Sequence, residues 1–164
     1  MTVQEQPLGS HSASIPPFRR ATPADAAAIR DVTRAAYAKW VPVVGREPRP
    51  MNADYNVAVR DYVIDLLHRD GELVGLIEMH PESDHLHIQN IAVSPAFQGC
   101  GYGRALLSHA EEIARSRGLK EVRLSTNQRF TDSVRLYERF GYRVDREEVE
   151  QLRGVVLYMS KSLH

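Results

Sequence analysis

The stretch "AVSPAFQGCGYGRALL", residues 92 to 107, sets Gly99, Gly101 and Gly103 between an apolar run and a segment with helical spacing. Glycine lacks a Cβ, so the backbone there can turn tightly and approach a ligand closely. Backbone N–H groups aimed out of such a turn, with a helix N-terminus behind them, make an anion site of the kind used for phosphate. Two familiar phosphate loops do not fit. A dinucleotide fingerprint would need a glycine at Arg104 or Leu106, and a P-loop would need a Gly-Lys-Ser/Thr that does not follow.

Outward from the loop, the chain reads as alternating strands and helices. "HLHIQNIAV" (residues 85–93) is a strand that Pro95 ends, and residues 101–117 form an amphipathic helix with Gly118 just past it. Upstream, "YVIDLLHRDGELVGLIEMH" gives two strands joined at Asp70-Gly71, a strong hairpin signal. "FRRATPADAAAIRDVTRAAYAKW" gives a short strand and a helix, with Thr22 as N-cap and Pro23 at the first helical position. "VPVVGREPRPMNADY" is a loop or broken helix. Downstream come the strand "KEVRLST", the helix "FTDSVRLYERF" closed by Gly141, and the strands "YRVDREEVE" and "RGVVLYMSK". The order predicts a mixed α/β (α+β) domain over residues 15–164, with an antiparallel meander in its first half. Residues 1–14, rich in Ser, Gln, Pro and Gly, read as a flexible tail.

The bulk numbers fit one globular domain of 164 residues, 43% hydrophobic and 26% charged. A formal net charge of +0 gives no electrostatic case for nucleic acid or an anionic membrane. Cys100 is the only cysteine, which excludes an intramolecular disulfide. Its place between two glycines suits a loop filler better than a nucleophile. The opening residues lack a basic segment followed by an apolar one, and no apolar run is long enough to cross a bilayer. A soluble, cytoplasmic protein is expected. His80, His85 and His87 follow no metal-ligand spacing, so no metal is expected.

The loop, as Gln98-Gly99-Cys100-Gly101-Tyr102-Gly103 behind "IQNIAV", resembles the acetyl-CoA-binding signature Q/R-x-x-G-x-G/A of the GNAT acetyltransferase superfamily. "STNQRFTDSVRLYERFGYRV" resembles that family's second signature through Asn127, Ser133, Leu136, Tyr137, Glu138, Gly141 and Tyr142. The resemblance runs from about residue 18 to 162. It implies a GNAT fold: a mixed sheet of six to seven strands, about four helices, and a splayed strand pair holding the cofactor. It implies transfer of an acetyl group from acetyl-CoA to a primary amine, small-molecule or peptide, by direct attack in a ternary complex. A non-catalytic acyl-CoA-binding module of the same fold is the alternative. Relatives often dimerise through their closing strands, which leaves a homodimer open.

Residue by residue, the resemblance implies that Gln98, Gly99, Cys100, Gly101, Tyr102, Gly103 and Arg104 form the pyrophosphate loop, with Gln98 serving either the loop or the ligand. Peptide groups at Ile91, Ala92 and Val93 would pair with the pantetheine arm as an added strand would. Asn127 and Ser133 would reach the cofactor, although Asn127 also reads as a turn residue. Tyr137 would protonate the leaving thiolate; the same residue reads as a core aromatic beside Leu136 and Phe140. Many relatives carry a glutamate where this chain has Gln89, which cannot serve as a base. His87 and Glu78 are the candidate replacements, or a water chain. Trp40, Arg46, Arg49, Met51 and Tyr55, with Gln89, would line the acceptor pocket, the arginines suiting a carboxylate or phosphate.

Overall fold

The computed structural model describes residues 17–164, so the expected tail over 1–14 lies outside the described residues. Seven strands form one sheet in the order β1-β2-β3-β4-β5-β7-β6. The strands are β1 (Arg19–Arg20), β2 (Val63–Arg69), β3 (Glu72–Pro81), β4 (Leu86–Val93), β5 (Glu121–Asn127), β6 (Arg143–Glu150) and β7 (Gly154–Ser162). Every neighbouring pair is antiparallel except β4 and β5. That parallel pair needs a crossover, and helix α4 (Tyr102–Ser116) supplies it. The β2–β3 turn holds Asp70 at φ 51 and Gly71 at φ 79, the two positive values a tight two-residue hairpin demands.

Helices cover both faces. Residues alternate along β3, so Leu76 packs with Ile29 and Ala36 of α1 (Ala26–Tyr37), while Ile77 and Met79 pack with Leu106, Leu107 and Ala110 of α4. Asp25, three residues past Thr22, accepts the Thr22 backbone N–H at 2.8 Å and so fixes the approach to α1. Between α1 and β2 the proline-rich segment makes a single helical turn, α2 (Val41–Val44), ended by Gly45 at φ 77. A 3-10 turn follows at Arg49–Asn52, then α3 (Tyr55–Asp61). Asp54 caps α3 by accepting from the Asn56 and Val57 N–H groups, a boundary that the loop-or-broken-helix reading does not resolve. Helix α5 (Thr131–Arg139) leads into β6.

One irregularity shapes the middle of the sheet. Opposite β3, Glu78 pairs with Asn90 and Met79 with Ile88, leaving Gln89 as an extra residue in β4. The bulge reverses side-chain parity: Leu86 and Ile88 enter the α4 core, whereas Ala92 enters the α1 core and Asn90 is buried on the same side. Strict two-residue alternation along β4 therefore does not hold past Ile88.

Candidate active site

Pairing between β4 and β5 covers only Leu86 to Ile88 against Val122 to Leu124. Beyond that point the strands part, and a cleft of about 700 Å³ opens between them. One side of it is β4 and the glycine loop, the other is the end of β5 with α5, and residues 36–50 close over it.

The loop is built to leave donors free. After the 3-10 turn Pro95–Phe97, Gly99 (φ 77) and Gly101 (φ 88) take left-handed conformations, and an added Cβ at either would meet nothing within 4 Å. These two glycines answer to backbone dihedrals, not to crowding. Among the described residues, no N–H from Gly99 to Arg104 has a backbone acceptor, and Ala105 is the first to pair, with the Gly101 carbonyl at 3.2 Å. Such a run of open N–H groups at a helix N-terminus fits a phosphate group. Gly103 has a different reason. A Cβ there would lie 2.8 Å from Cδ2 of Leu136, so α4 and α5 touch through it.

Gln98 serves the loop. Its Nε2 donates to the Val93 carbonyl at 3.0 Å, and its Oε1 accepts from Lys39 Nζ at 3.0 Å. The first of these bonds also takes up a carbonyl of the Ile91–Val93 stretch. Asn127 is likewise engaged by protein, donating to the Arg153 carbonyl and accepting the Arg129 N–H at 2.9 Å. Ser133, Leu136 and Tyr137 line the cleft from α5. Burial pushes the Tyr137 phenol up to about 12, so it keeps its proton throughout the ordinary pH range.

A family model described as the Acetyltransferase (GNAT) family matches residues 28–142. The chain belongs to the GNAT family. Its curated relatives include the aminoalkylphosphonate N-acetyltransferase of Salmonella typhimurium, 42% identical over an 82-residue alignment that covers 46% of this chain and 53% of that protein. The chain thus spans about half the length of the relatives it matches. Among solved structures, the PaiA N-acetyltransferase from Thermoplasma acidophilum in complex with coenzyme A shares the fold at a TM-score of 0.75 and 19% identity, covering 89% of this chain and 98% of that one. The ribosomal-protein-alanine N-acetyltransferase from Brucella melitensis does so at 0.71 and 21%, covering 90% and 100%.

Within this GNAT cleft the structure gathers most of the residues singled out in the sequence, and leaves several out. His87, Gln89, Ile91, Val93, Gln98, Gly99, Gly101, Tyr102, Gly103 and Arg104 line it, as do Asn127, Ser133, Tyr137, Trp40, Arg46 and Arg49. Tyr55 does not. It is 3% exposed in the α1 core, its hydroxyl donating to the Pro50 carbonyl at 2.6 Å, because α3 turns it inward. Met51 is buried as well. The Ala92 side chain faces the α1 core after the bulge, and the Cys100 side chain is exposed, its thiol donating to the Gln98 carbonyl at 3.8 Å and leaving its N–H free in the loop. Glu78 also lies off the cleft lining. It is buried at 5% exposure, and that burial raises its carboxyl to about 7.

Two residues of the site are not evident from the sequence. Tyr37, which the periodicity puts on an apolar helix face, lines the cleft and donates its hydroxyl to Asn90 Oδ1 at 3.1 Å. Asn90 in turn donates to Thr33 Oγ1 and to the Tyr55 hydroxyl, both at 3.3 Å. This network backs the cleft. Burial, then Tyr137, Tyr55 and Glu78, push the Tyr37 phenol well above its ordinary value. An asparagine inside "IQNIAV", where a hydrophobic residue is expected, is the signal that could have found them.

Proposed function

We propose that this chain transfers the acetyl group of acetyl-CoA to the amine of a small acceptor, both held in the cleft at once. The observation that supports it most is the run of unpaired N–H groups from Gly99 to Arg104 at the mouth of a splayed parallel pair. The N–H groups and the α4 dipole would hold the pyrophosphate, and Arg104 in the first turn of α4 adds charge there. Acetyl-CoA, when bound, supplies an activated thioester. The β4 edge past Ile88 has lost its partner strand, so peptide groups there that protein leaves free would pair with the pantetheine arm.

Tyr137 would stand as a hydrogen-bond donor toward the departing sulfur. A phenol held at about 12 does not titrate near neutrality and is always in the donor form. His87 lines the cleft, and burial lowers its pKa below 6.5, so at neutral pH its imidazole is the free base that can accept the proton of an incoming amine. Glu78 pairs across the ladder with Asn90 and would act on the site only through the Tyr37–Asn90 network. Because Cys100 is exposed and off the cleft lining, direct transfer fits better than an acetylated-enzyme route.

Thiol release from acetyl-CoA across a panel of amines, with wild type beside Tyr137→Phe, tests the reading. At least one amine should turn over, with kcat lowered about tenfold or more in the variant. Binding of acetyl-CoA with no amine giving CoA above background would replace the enzyme by a non-catalytic acyl-CoA-binding module.

A further inference from the structure

The whole chain carries a formal net charge of +0, yet the cleft is lined by six lysine and arginine side chains and one acidic one, Asp132. Three of the six have a task already. Lys39 reaches Asp132 at 3.5 Å and Gln98 at 3.0 Å. Arg104 stands in the first turn of α4, where it would serve the pyrophosphate, and Arg139 ends α5, the helix that meets α4 at Gly103 and Leu136. The other three, Arg46, Arg49 and Arg153, come from elsewhere: the segment after α1 and the turn between β6 and β7.

The first of these segments is held in place by Arg34 of α1. Its guanidinium grips Glu47 at 2.8 Å and the Met51 carbonyl at 2.8 Å, which fixes the stretch from which Arg46 and Arg49 project. Glu47 is thereby engaged away from its neighbour Arg46. Glu150 lies 4.0 Å from Arg49 and 3.4 Å from Arg153, and it also accepts the Tyr158 hydroxyl at 3.0 Å. Arg46 is half-buried, lines the cleft, and has no carboxylate within ion-pair distance among the described residues. A partly desolvated guanidinium without a counter-ion is costly, and its fork of donors suits a carboxylate or phosphate oxygen pair. The same cleft is lined by aromatic surfaces, with Trp40 and Phe130 stacked at 5.1 Å.

We propose that the acceptor is a small amine bearing an anionic group of the phosphate, phosphonate or carboxylate class, and that Arg46 with Arg153 holds this group while the amine points inward past Trp40 and Phe130. The proposal rests on the acetyl-transfer reading of the cleft and names its acceptor class. Arg49 and Glu150 tune the strength of the hold. The anion anchors one end of the molecule, so the amine reaches the interior in a fixed orientation.

Calorimetric binding to the full chain saturated with coenzyme A tests this without requiring turnover. The probes are phosphoethanolamine, β-alanine and ethanolamine, which share the amine and differ in the charge at the far end. At least one of the two anionic amines should bind about tenfold or more tightly than ethanolamine, and the phosphate and carboxylate arms tell the two anions apart. Arg46→Ala should erase about tenfold of that advantage and leave ethanolamine unchanged, while Arg46→Lys, which keeps the charge without the fork, restores part of it. Equal binding of all three amines, binding of none, or an equal loss for charged and neutral amines in Arg46→Ala would overturn the proposal. Thiol release measured on the same amines separates it from the reading beneath. Brisk acetylation of ethanolamine, with no preference for the anionic amines, sustains transfer and sinks the anion site. Arg46-dependent binding without CoA release sustains the anion site and sinks transfer.

Discussion

Replacing Glu78 by glutamine isolates the effect of its burial. The side chain is inside the α1 face of the sheet. Its one ion-pair neighbour among the described residues is His80, whose Nε2 is 3.6 Å away and whose own pKa burial lowers. Desolvation raises the Glu78 carboxyl from an ordinary 4.5 to about 7. Between those values the folded protein holds a proton that the unfolded chain has released, so folding stability falls as pH rises through the interval. This is the reverse of the usual salt-bridged carboxylate. At about 1.4 kcal/mol per pH unit the loss is about 3 kcal/mol, complete by about pH 8. A glutamine at this position has no such titration, and below about pH 4 the two side chains are both neutral and nearly the same shape. The Glu78→Gln variant should therefore gain about 3 kcal/mol on wild type between about pH 4 and about pH 8, or about 6–12 °C in Tm for a chain of this size. Paired urea unfolding curves at five pH values across that range measure it. A stability difference constant to within about 0.5 kcal/mol would refute the reasoning, since it would mean that the carboxylate is solvated in the folded state. The same variant bears on the base. If Glu78 acts through Tyr37, kcat/KM rises with pH through about 7 and this limb vanishes in Glu78→Gln; if His87 is the base, the limb lies below 6.5 and survives.

Gly101→Ala should destabilise the fold by about 1–2 kcal/mol, the cost of an L-residue in a left-handed conformation, and should weaken coenzyme A binding in a titration as the loop relaxes. Cys100→Ala, which removes an exposed thiol and its weak 3.8 Å bond to the Gln98 carbonyl, should leave both nearly unchanged. Lys161 pairs with the buried Glu111 at 2.6 Å and lies 4.3 Å from the Phe140 ring centroid. Lys161→Ala should lower stability by about 3 kcal/mol in chemical denaturation, because it strands a carboxylate between α4 and β7; the double change with Glu111→Leu should recover most of that loss.

Much of the fold was written in turn and cap chemistry. Asp70-Gly71 required a hairpin, Pro95 closed β4, and Gly118 and Gly141 ended helices, so the strand and helix order followed from local signals. The glycine loop was legible for the same reason: its residues answer to backbone geometry, which sequence records directly. What resisted was the direction of side chains in irregular segments. Tyr55, Trp40 and Arg46 all fall in one stretch dense in aromatics, prolines and arginines, and nothing in the stretch tells which of them turns inward. Packing of α3 decided it, burying Tyr55 against Asn90 and leaving Arg46 on the cleft. The bulge at Gln89 was equally hidden, since an extra residue in one strand is defined only by its partner across the ladder.

That bulge also explains how one strand serves two functions. Up to Ile88, β4 is an ordinary core strand, paired on both sides and feeding the α4 core. One added residue reverses the parity, turns Asn90 toward Tyr37, Thr33 and Tyr55, and coincides with the end of pairing to β5. The opened edge then needs something to hold its far wall in place. Gly103 does so by admitting Leu136 to 2.8 Å of where a methyl group would be, so the helix carrying Tyr137 is located against the same loop that leaves its N–H groups free. The two sequence signatures are therefore one packing unit. A bulkier residue at 103 would press on Leu136 and so move Tyr137 relative to the loop's N–H groups, and Gly103→Val should lower kcat more than it lowers coenzyme A affinity. Steady-state thiol release set beside a coenzyme A titration of the same variant measures the two effects separately, and an equal loss in both would mean that the loop, not the helix, had moved.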